Sequence, residues 1–219
     1  LPFFANIGIA QLEELNSSNK VREFFLGQLS DLGVDGLIIH VNPLQEWLQP
    51  EGDRLNFSPI LSIETFLDYS PQTKIIVKEV GQGFGPSSMK QVLELPIEGI
   101  EFAAFGGTNF SRLETLRHER PSHQKELAFV GHSVEEMIGF YNSVKDYHKD
   151  VIISGGINNF LDGYYYKNLC HGNSVIGMAG EVLKYALNGQ EKLDEFIFQQ
   201  IEGLRFATSF LTIKKEMNK

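Results

Sequence analysis

Residues Lys74–Gly85 read KIIVKEVGQGFG. The nearly continuous apolar run Lys74–Glu79 has the pattern of a parallel strand buried on both faces. Lys78 closes it, and Gly81, Gly83 and Gly85 then allow tight backbone turns before a helical pattern begins at Ser87. This strand–turn–helix unit recurs in both directions. Further strands are expected at Phe3–Gly8, Gly36–His40, Gly99–Ala104, Val151–Ser154 and Ser174–Gly177. Helices are expected at Lys20–Leu32, Ser58–Asp68, Ser87–Leu95, Ser133–His148, Asn159–Leu169, Glu181–Leu187 and Leu193–Lys215, with Ser133 and Glu136 spaced as a capping box. Alternation of this kind predicts a parallel α/β sheet, and periodicity leaves a (β/α)8 barrel and a doubly wound sheet both standing. Asn6, His40, Asn42, Lys78, Thr108 and Ser154 all fall within or just past the C-terminal ends of these strands. Barrels and open α/β sheets alike build their sites there.

With 219 residues, 42% of them apolar, and a mean hydropathy of −0.14, the chain reads as one globular domain over residues 1–219 with no composition break. No window approaches the ~18 apolar residues of a membrane span, so no membrane partner is expected. A formal net charge of −9 argues against a nucleic-acid partner. It leaves room for an anionic small molecule held by a local cluster and a metal ion. The single cysteine, Cys170, excludes an internal disulfide and suits a cytoplasmic location. Leu1–Gly8 is short, uncharged and runs into a strand, unlike a signal peptide.

Ile38–Arg54, IIHVNPLQEWLQPEGDR, gathers His40, Asn42, Gln45, Glu46, Gln49, Glu51, Asp53 and Arg54 into what reads as a loop after a strand. Glu46 has the chemistry of a Mg²⁺ ligand acting together with substrate phosphates, and Gln45 is placed to hydrogen-bond a reacting group. The same residues also read as a solvated loop punctuated by Pro43 and Pro50. Lys78 reads either as a strand-end lysine meeting an anion or polar cofactor, or as a surface lysine. The glycines after it do not form a dinucleotide fingerprint. Phe105–Phe110 (FGGTNF), Ser154–Asn158 (SGGIN) and Gly177–Glu181 (GMAGE) are glycine-rich turns. In barrels the last two such loops commonly cradle phosphate, and ordinary βα turns favour glycine too. Cys170 has no obvious catalytic partners and reads as a packed thiol. His118, His123, His132, His148 and His171 show no metal-ligand spacing.

The segments FFANIGIAQL, HVNPLQEWLQPEGDR, KEVGQG, GGTNFSRLETLR, ISGGI and VIGMAG, in that order over residues 3 to about 180, resemble type 2 isopentenyl-diphosphate isomerase. The HVNPLQE…QPEGDR run is highly specific; GGT and SGGI are shared with other FMN barrels. The resemblance implies a (β/α)8 barrel that moves a double bond between isopentenyl and dimethylallyl diphosphate. It further implies reduced FMN, Mg²⁺, and NADPH as the flavin reductant, in a homotetramer or larger. By the same comparison Asn6 and Lys78 contact the flavin. Thr108, Gly155, Gly156, Met178 and Ala179 hold its phosphate. His40, Asn42 and Gln45 line the substrate pocket, and Glu46 binds the metal. Gln45 lies beside the allylic group, with Glu114 near the active site for proton handling.

Gly85, Phe105 and Val130 depart from the family pattern, which has Ser, a smaller or basic residue, and Trp at those places. An Arg-Lys segment and two further βα units precede the matched region in the family. On that comparison the chain is N-terminally incomplete and carries strands three to eight, about six of the eight units of a barrel. The first and last strands present should then not pair with each other. An FMN-dependent oxidoreductase on the same barrel and a non-catalytic barrel fragment are the alternatives; the Gln45–Glu46 pair favours the isomerase.

Overall fold

The computed structural model describes residues 2–117, 125–146 and 149–214. Six strands, β1 (Phe4–Gly8), β2 (Gly36–His40), β3 (Ile75–Lys78), β4 (Gly99–Glu101), β5 (Asp150–Ser154) and β6 (Ser174–Gly177), form one sheet in the order β1-β2-β3-β4-β5-β6. Every neighbouring pair is parallel. Among the described residues β1 pairs only with β2 and β6 only with β5, as expected of the two end strands.

Between and after the strands lie α1 (Ile9–Asn16), α2 (Asn19–Leu32), α3 (Pro43–Leu48), α4 (Pro59–Tyr69), α5 (Pro86–Glu94), α6 (Phe110–Arg117), α7 (Val134–Ser143), α8 (Phe160–Leu169), α9 (Gly180–Ala186) and α10 (Gln190–Phe210). The capping box at the start of α7 forms: Glu136 N–H donates to the Ser133 hydroxyl at 3.3 Å, and Ser133 N–H donates to the Glu136 carboxylate at 2.8 Å. His118, His123 and His148, and the far ends of the helices expected over Ser133–His148 and Leu193–Lys215, lie outside the described residues.

Strand side chains alternate between faces, and this alternation decides where the chemistry sits. Leu37, Ile39, Ile75, Val77, Ile100, Val151 and Ile153 are fully buried. They join Ile63, Phe66, Met89, Leu93, Met137 and Ile138 of the helices in the main core. The opposite face is more open. Register places Gly8 beside His40, His40 beside Lys78, and Lys78 beside Glu101. One row of that face, at the C-terminal ends of the strands, therefore carries an imidazole, an ammonium and a carboxylate.

Among the described residues three α-helices lie where the sequence pattern predicts none. Ile9–Asn16 is helical directly after β1, and Phe110–Arg117 is helical after the GGT turn. The polar segment read as a loop after β2 contains α3, which begins on Pro43 at a first-turn position and ends after six residues. Proline is pre-set for that position, and so short a helix gives no readable period.

Candidate functional site

A cavity of about 560 Å³ opens at the C-terminal ends of β3 to β6. Lys78, Thr108, Gly155, Gly156, Met178 and Ala179 all line it, Lys78 from the end of β3 and the others from the turns after β4, β5 and β6. Glycine is structurally required in its walls. Gly155, at φ +105°, would place a Cβ 2.2 Å from the carbonyl oxygen of Ala104. Gly156, at φ +75°, and Gly106, at φ +125°, bring the turns after β5 and β4 into backbone contact. A Cβ on Gly156 would lie 3.0 Å from the Gly106 carbonyl carbon. L-residues rarely adopt these angles, and side chains would fill the space between the turns.

The turn after β3, which also lines the cavity, is organised by Glu79. One oxygen of this buried carboxylate accepts from the backbone N–H groups of Val80, Gly81, Gln82 and Gly83, at 2.6, 2.9, 2.7 and 3.2 Å. Burial pushes the Glu79 carboxyl above its ordinary range, and the four N–H donors oppose that shift. Lys78 Nζ donates to the Glu79 backbone oxygen at 2.8 Å. That bond holds the half-buried ammonium at the cavity wall. Gln82 ties the turn to its neighbours, donating to the Val130 oxygen at 2.9 Å and accepting from the Ser111 hydroxyl at 3.0 Å.

A second polar cluster stands on and around α3. Asn42 is buried and donates to Glu46 at 2.8 Å and to Gln45 at 3.3 Å. The other Glu46 oxygen accepts from the Asp53 N–H at 3.0 Å. Among the described residues the buried Oδ1 of Asn42 has no partner. Gly52 lets the chain return over α3, since a Cβ there would lie 1.9 Å from the Glu46 carbonyl oxygen. His40 Nδ1 lies 2.7 Å from Asn6 Oδ1. Burial, and then the Lys78 charge, lower the imidazole pKa below its ordinary value, with Glu46 opposing. That shift favours the neutral imidazole.

The residues singled out from the sequence thus fall into two groups. Lys78 belongs to both, as a wall of the cavity and as the strand neighbour of His40. Asn6, His40, Asn42, Gln45 and Glu46 do not line the cavity. Glu114 is buried and accepts from Gln49 at 3.2 Å and from Arg117 at 2.8 Å; Arg117 also reaches Glu51 at 2.9 Å. Its described bonds therefore join α6 to the end of α3, whereas Gln45 bonds Asn42. Among the described residues no three His, Cys, Asp or Glu side chains gather as a metal site. Cys170 is buried, and burial pushes its thiol up; both fit a packed residue. At the departures, Gly85 has room for a side chain, the nearest atom to an added Cβ being His132 Nε2 at 3.5 Å. The Phe105 ring covers Gly131, whose Cβ would lie 2.7 Å from it.

Sequence reasoning passed over Glu101. It lines the cavity and its Oε1 accepts from the Ser154 hydroxyl at 2.9 Å. The available signal was an acid inside the apolar run Gly99–Ala104; its place beside Lys78 comes from the strand register. Among the described residues no helix is long and apolar enough to cross a membrane.

No family model matches the chain. In fold it resembles a solved mandelate oxidase mutant with benzaldehyde, at a TM-score of 0.55 and 16% identity over 93% of this chain and 64% of the other. It is 31% identical over its whole length to the isopentenyl-diphosphate delta-isomerase of Borrelia garinii subsp. bavariensis, covering 59% of that protein. Against the proteins of that name from Rickettsia africae and Metallosphaera sedula it is 30% and 29% identical, covering 62% and 58% of them. Over nearly its whole length the chain is a homologue of isopentenyl-diphosphate delta-isomerases, of whose length it spans about three fifths.

Proposed function

We propose that this chain is the flavin- and substrate-binding part of a type 2 isopentenyl-diphosphate isomerase, interconverting isopentenyl and dimethylallyl diphosphate with reduced FMN, Mg²⁺ and NADPH as reductant. The observation that carries the reading is the convergence of Lys78, Thr108, Gly155, Gly156, Met178 and Ala179 on one cavity. Its volume lies within the range of cofactor pockets, roughly 300–1,000 Å³.

FMN fits this lining. Side-chain-free walls at Gly106, Gly107, Gly155 and Gly156 expose backbone to a phosphate, and Thr108 and Asn158 add side-chain donors. Lys78 provides a cation on the β3 side of the lining. When bound, reduced flavin supplies an electron-rich ring system for a proton-transfer reaction without net redox change. The protein's contribution is orientation and electrostatics. In this reading His40 and Asn42 line the substrate pocket, and Gln45 faces the allylic part of the substrate.

Mg²⁺ fits more narrowly. Glu46 offers one carboxylate, each oxygen already accepting one protein N–H. A metal there would depend on substrate phosphate oxygens for most of its ligands, as Mg²⁺ commonly does. Calorimetry tests this. With FMN present, isopentenyl diphosphate should bind the chain in a Mg²⁺-dependent manner, and Glu46→Gln should remove that dependence while FMN affinity stays unchanged. Diphosphate binding that ignores Mg²⁺ in the wild-type chain contradicts the reading.

A further inference from the structure

Glu101 and Ser154 form a small device inside the cavity that the reading above does not use. Glu101 ends β4 and Ser154 ends β5, on the same face of the sheet. The Ser154 hydroxyl spends its one proton on Glu101 Oε1, at 2.9 Å, and its oxygen accepts the Ala103 N–H at 3.0 Å. Ser154 is therefore satisfied within the protein. Glu101 is held in one place, yet its second oxygen makes no hydrogen bond among the described residues. Ala103, between Glu101 and the GGT turn, sits at φ +42°, an angle uncommon for a residue with a side chain. Such strain persists where surrounding structure over-determines it. Here the Ser154 hydroxyl binds the Ala103 N–H and the Ser154 backbone oxygen binds the Ala104 N–H at 2.9 Å.

The cavity has a polar order. Among the described residues that line it, Lys78 and Glu101 are the charged ones. From β3 towards β6 the sequence of groups is the Lys78 ammonium, the Glu101 carboxylate, then the glycine turns with their backbone donors. A carboxylate oxygen accepts and does not donate, and it repels an anion. A ligand spanning the cavity must present an acceptor or anionic edge to Lys78, a hydrogen-bond donor at its middle, and an anion at the turns.

From this order we infer that Glu101, fixed by Ser154, is a cofactor-binding residue that accepts a hydrogen bond from a hydroxyl of the polyol chain joining the flavin ring to its phosphate. This rests on the flavin reading of the cavity and adds a residue and a direction to it: the ring lies on the Lys78 side and the chain passes Glu101. The carboxylate disfavours ligands that carry negative charge at mid-length.

Glu101→Gln tests the assignment with little risk to the fold, because the amide oxygen still accepts from Ser154 while an N–H₂ donor replaces the free acceptor. Flavin fluorescence titration of the intact chain would compare FMN with lumiflavin, which has the ring and lacks the polyol. Loss of a hydrogen bond to a charged group is worth about 1.5–3 kcal/mol, so FMN affinity should fall roughly 10- to 100-fold. Lumiflavin affinity should not change. FMN affinity within about twofold of wild type overturns the inference and leaves the flavin reading intact. Equal losses for both ligands also overturn it, since Glu101 would then face the ring or only support the wall. Failure of the wild-type chain to bind FMN overturns both. Ser154→Ala should weaken FMN binding less than Glu101→Gln and in the same direction; an unchanged affinity counts against the fixing role of Ser154.

Discussion

The two polar regions at the C-terminal ends of the strands are built by different means. The cavity after β3 to β6 is made largely of backbone: glycine turns pressed against one another, with few side chains reaching inward. The α3 region is made of side chains: Asn42 clamping Glu46 and Gln45, Asp53 closing on Glu46, and Arg117 bridging Glu114 to Glu51. A backbone-built wall suits a ligand that stays, because its geometry is fixed by the fold. A side-chain-built cluster can rearrange when a substrate and its metal arrive. The difference predicts that substitutions in the backbone-built turns act on folding first, whereas those of single polar side chains, Lys78 and Glu46 among them, act on binding and leave folding nearly unchanged.

The sharpest break of that comparison would be a tolerant glycine. Gly155→Ala places a Cβ in collision with the Ala104 backbone at a positive φ. It should cost roughly 3 kcal/mol or more in urea denaturation, combining overpacking with backbone strain. A cost below about 1 kcal/mol would show the wall to be plastic. Glu79→Ala comes next. It strips four buried or half-buried N–H groups of their common acceptor, and should cost about 2–3 kcal/mol, given about 1–3 kcal/mol for leaving a buried donor unsatisfied and partial rescue by water. Lys78→Met removes the cation without touching the turns. It should keep stability within about 1 kcal/mol and reduce FMN affinity about tenfold or more, read by fluorescence titration. An unaltered affinity would place the flavin elsewhere.

The smallest effect belongs to His40. Its folded pKa is depressed by burial and by Lys78, so between that value and the ordinary one near 6.5 the unfolded chain binds more protons than the folded chain. Stability should be fully present above about 6.5 and fall as pH drops through the window below it, by no more than about 1.4 kcal/mol per pH unit for one proton. His40→Gln should flatten that part of a pH-dependent denaturation series. An unchanged slope would mean that another group titrates there.

The strands were the most legible part of the sequence, because strands buried in an α/β protein read as short apolar runs between turn signals. Gly36–His40 and Ser174–Gly177 match residue for residue. Where the limits differ, the chain leaves the ladder for a physical reason. β3 stops before Glu79, whose carboxylate turns back onto the following N–H groups. β4 stops at Glu101, ahead of the positive φ at Ala103. α7 ends at Ser143, well before His148, with Val144 extended after it. Glycine turns were visible as composition, but their mutual contact was not, since it joins Gly106 to Gly156 across fifty residues. Around α3 the residue types were legible and the partnerships were not. Glu114 illustrates this: its pair with Arg117 is local to α6, but its bond to Gln49 depends on how α6 packs on α3, which no local pattern encodes.

The most direct test of the central claim is a pair of equilibrium titrations of the intact chain, one with FMN and one with riboflavin, which differ only in the phosphate. A cavity whose far wall is a glycine-lined backbone cradle should bind FMN with one-to-one stoichiometry. Riboflavin should bind at least tenfold more weakly, a difference of about 1.4 kcal/mol, within the range of charge-assisted hydrogen bonds to a phosphate. Equal affinity for the two, or no binding of either, would contradict the account.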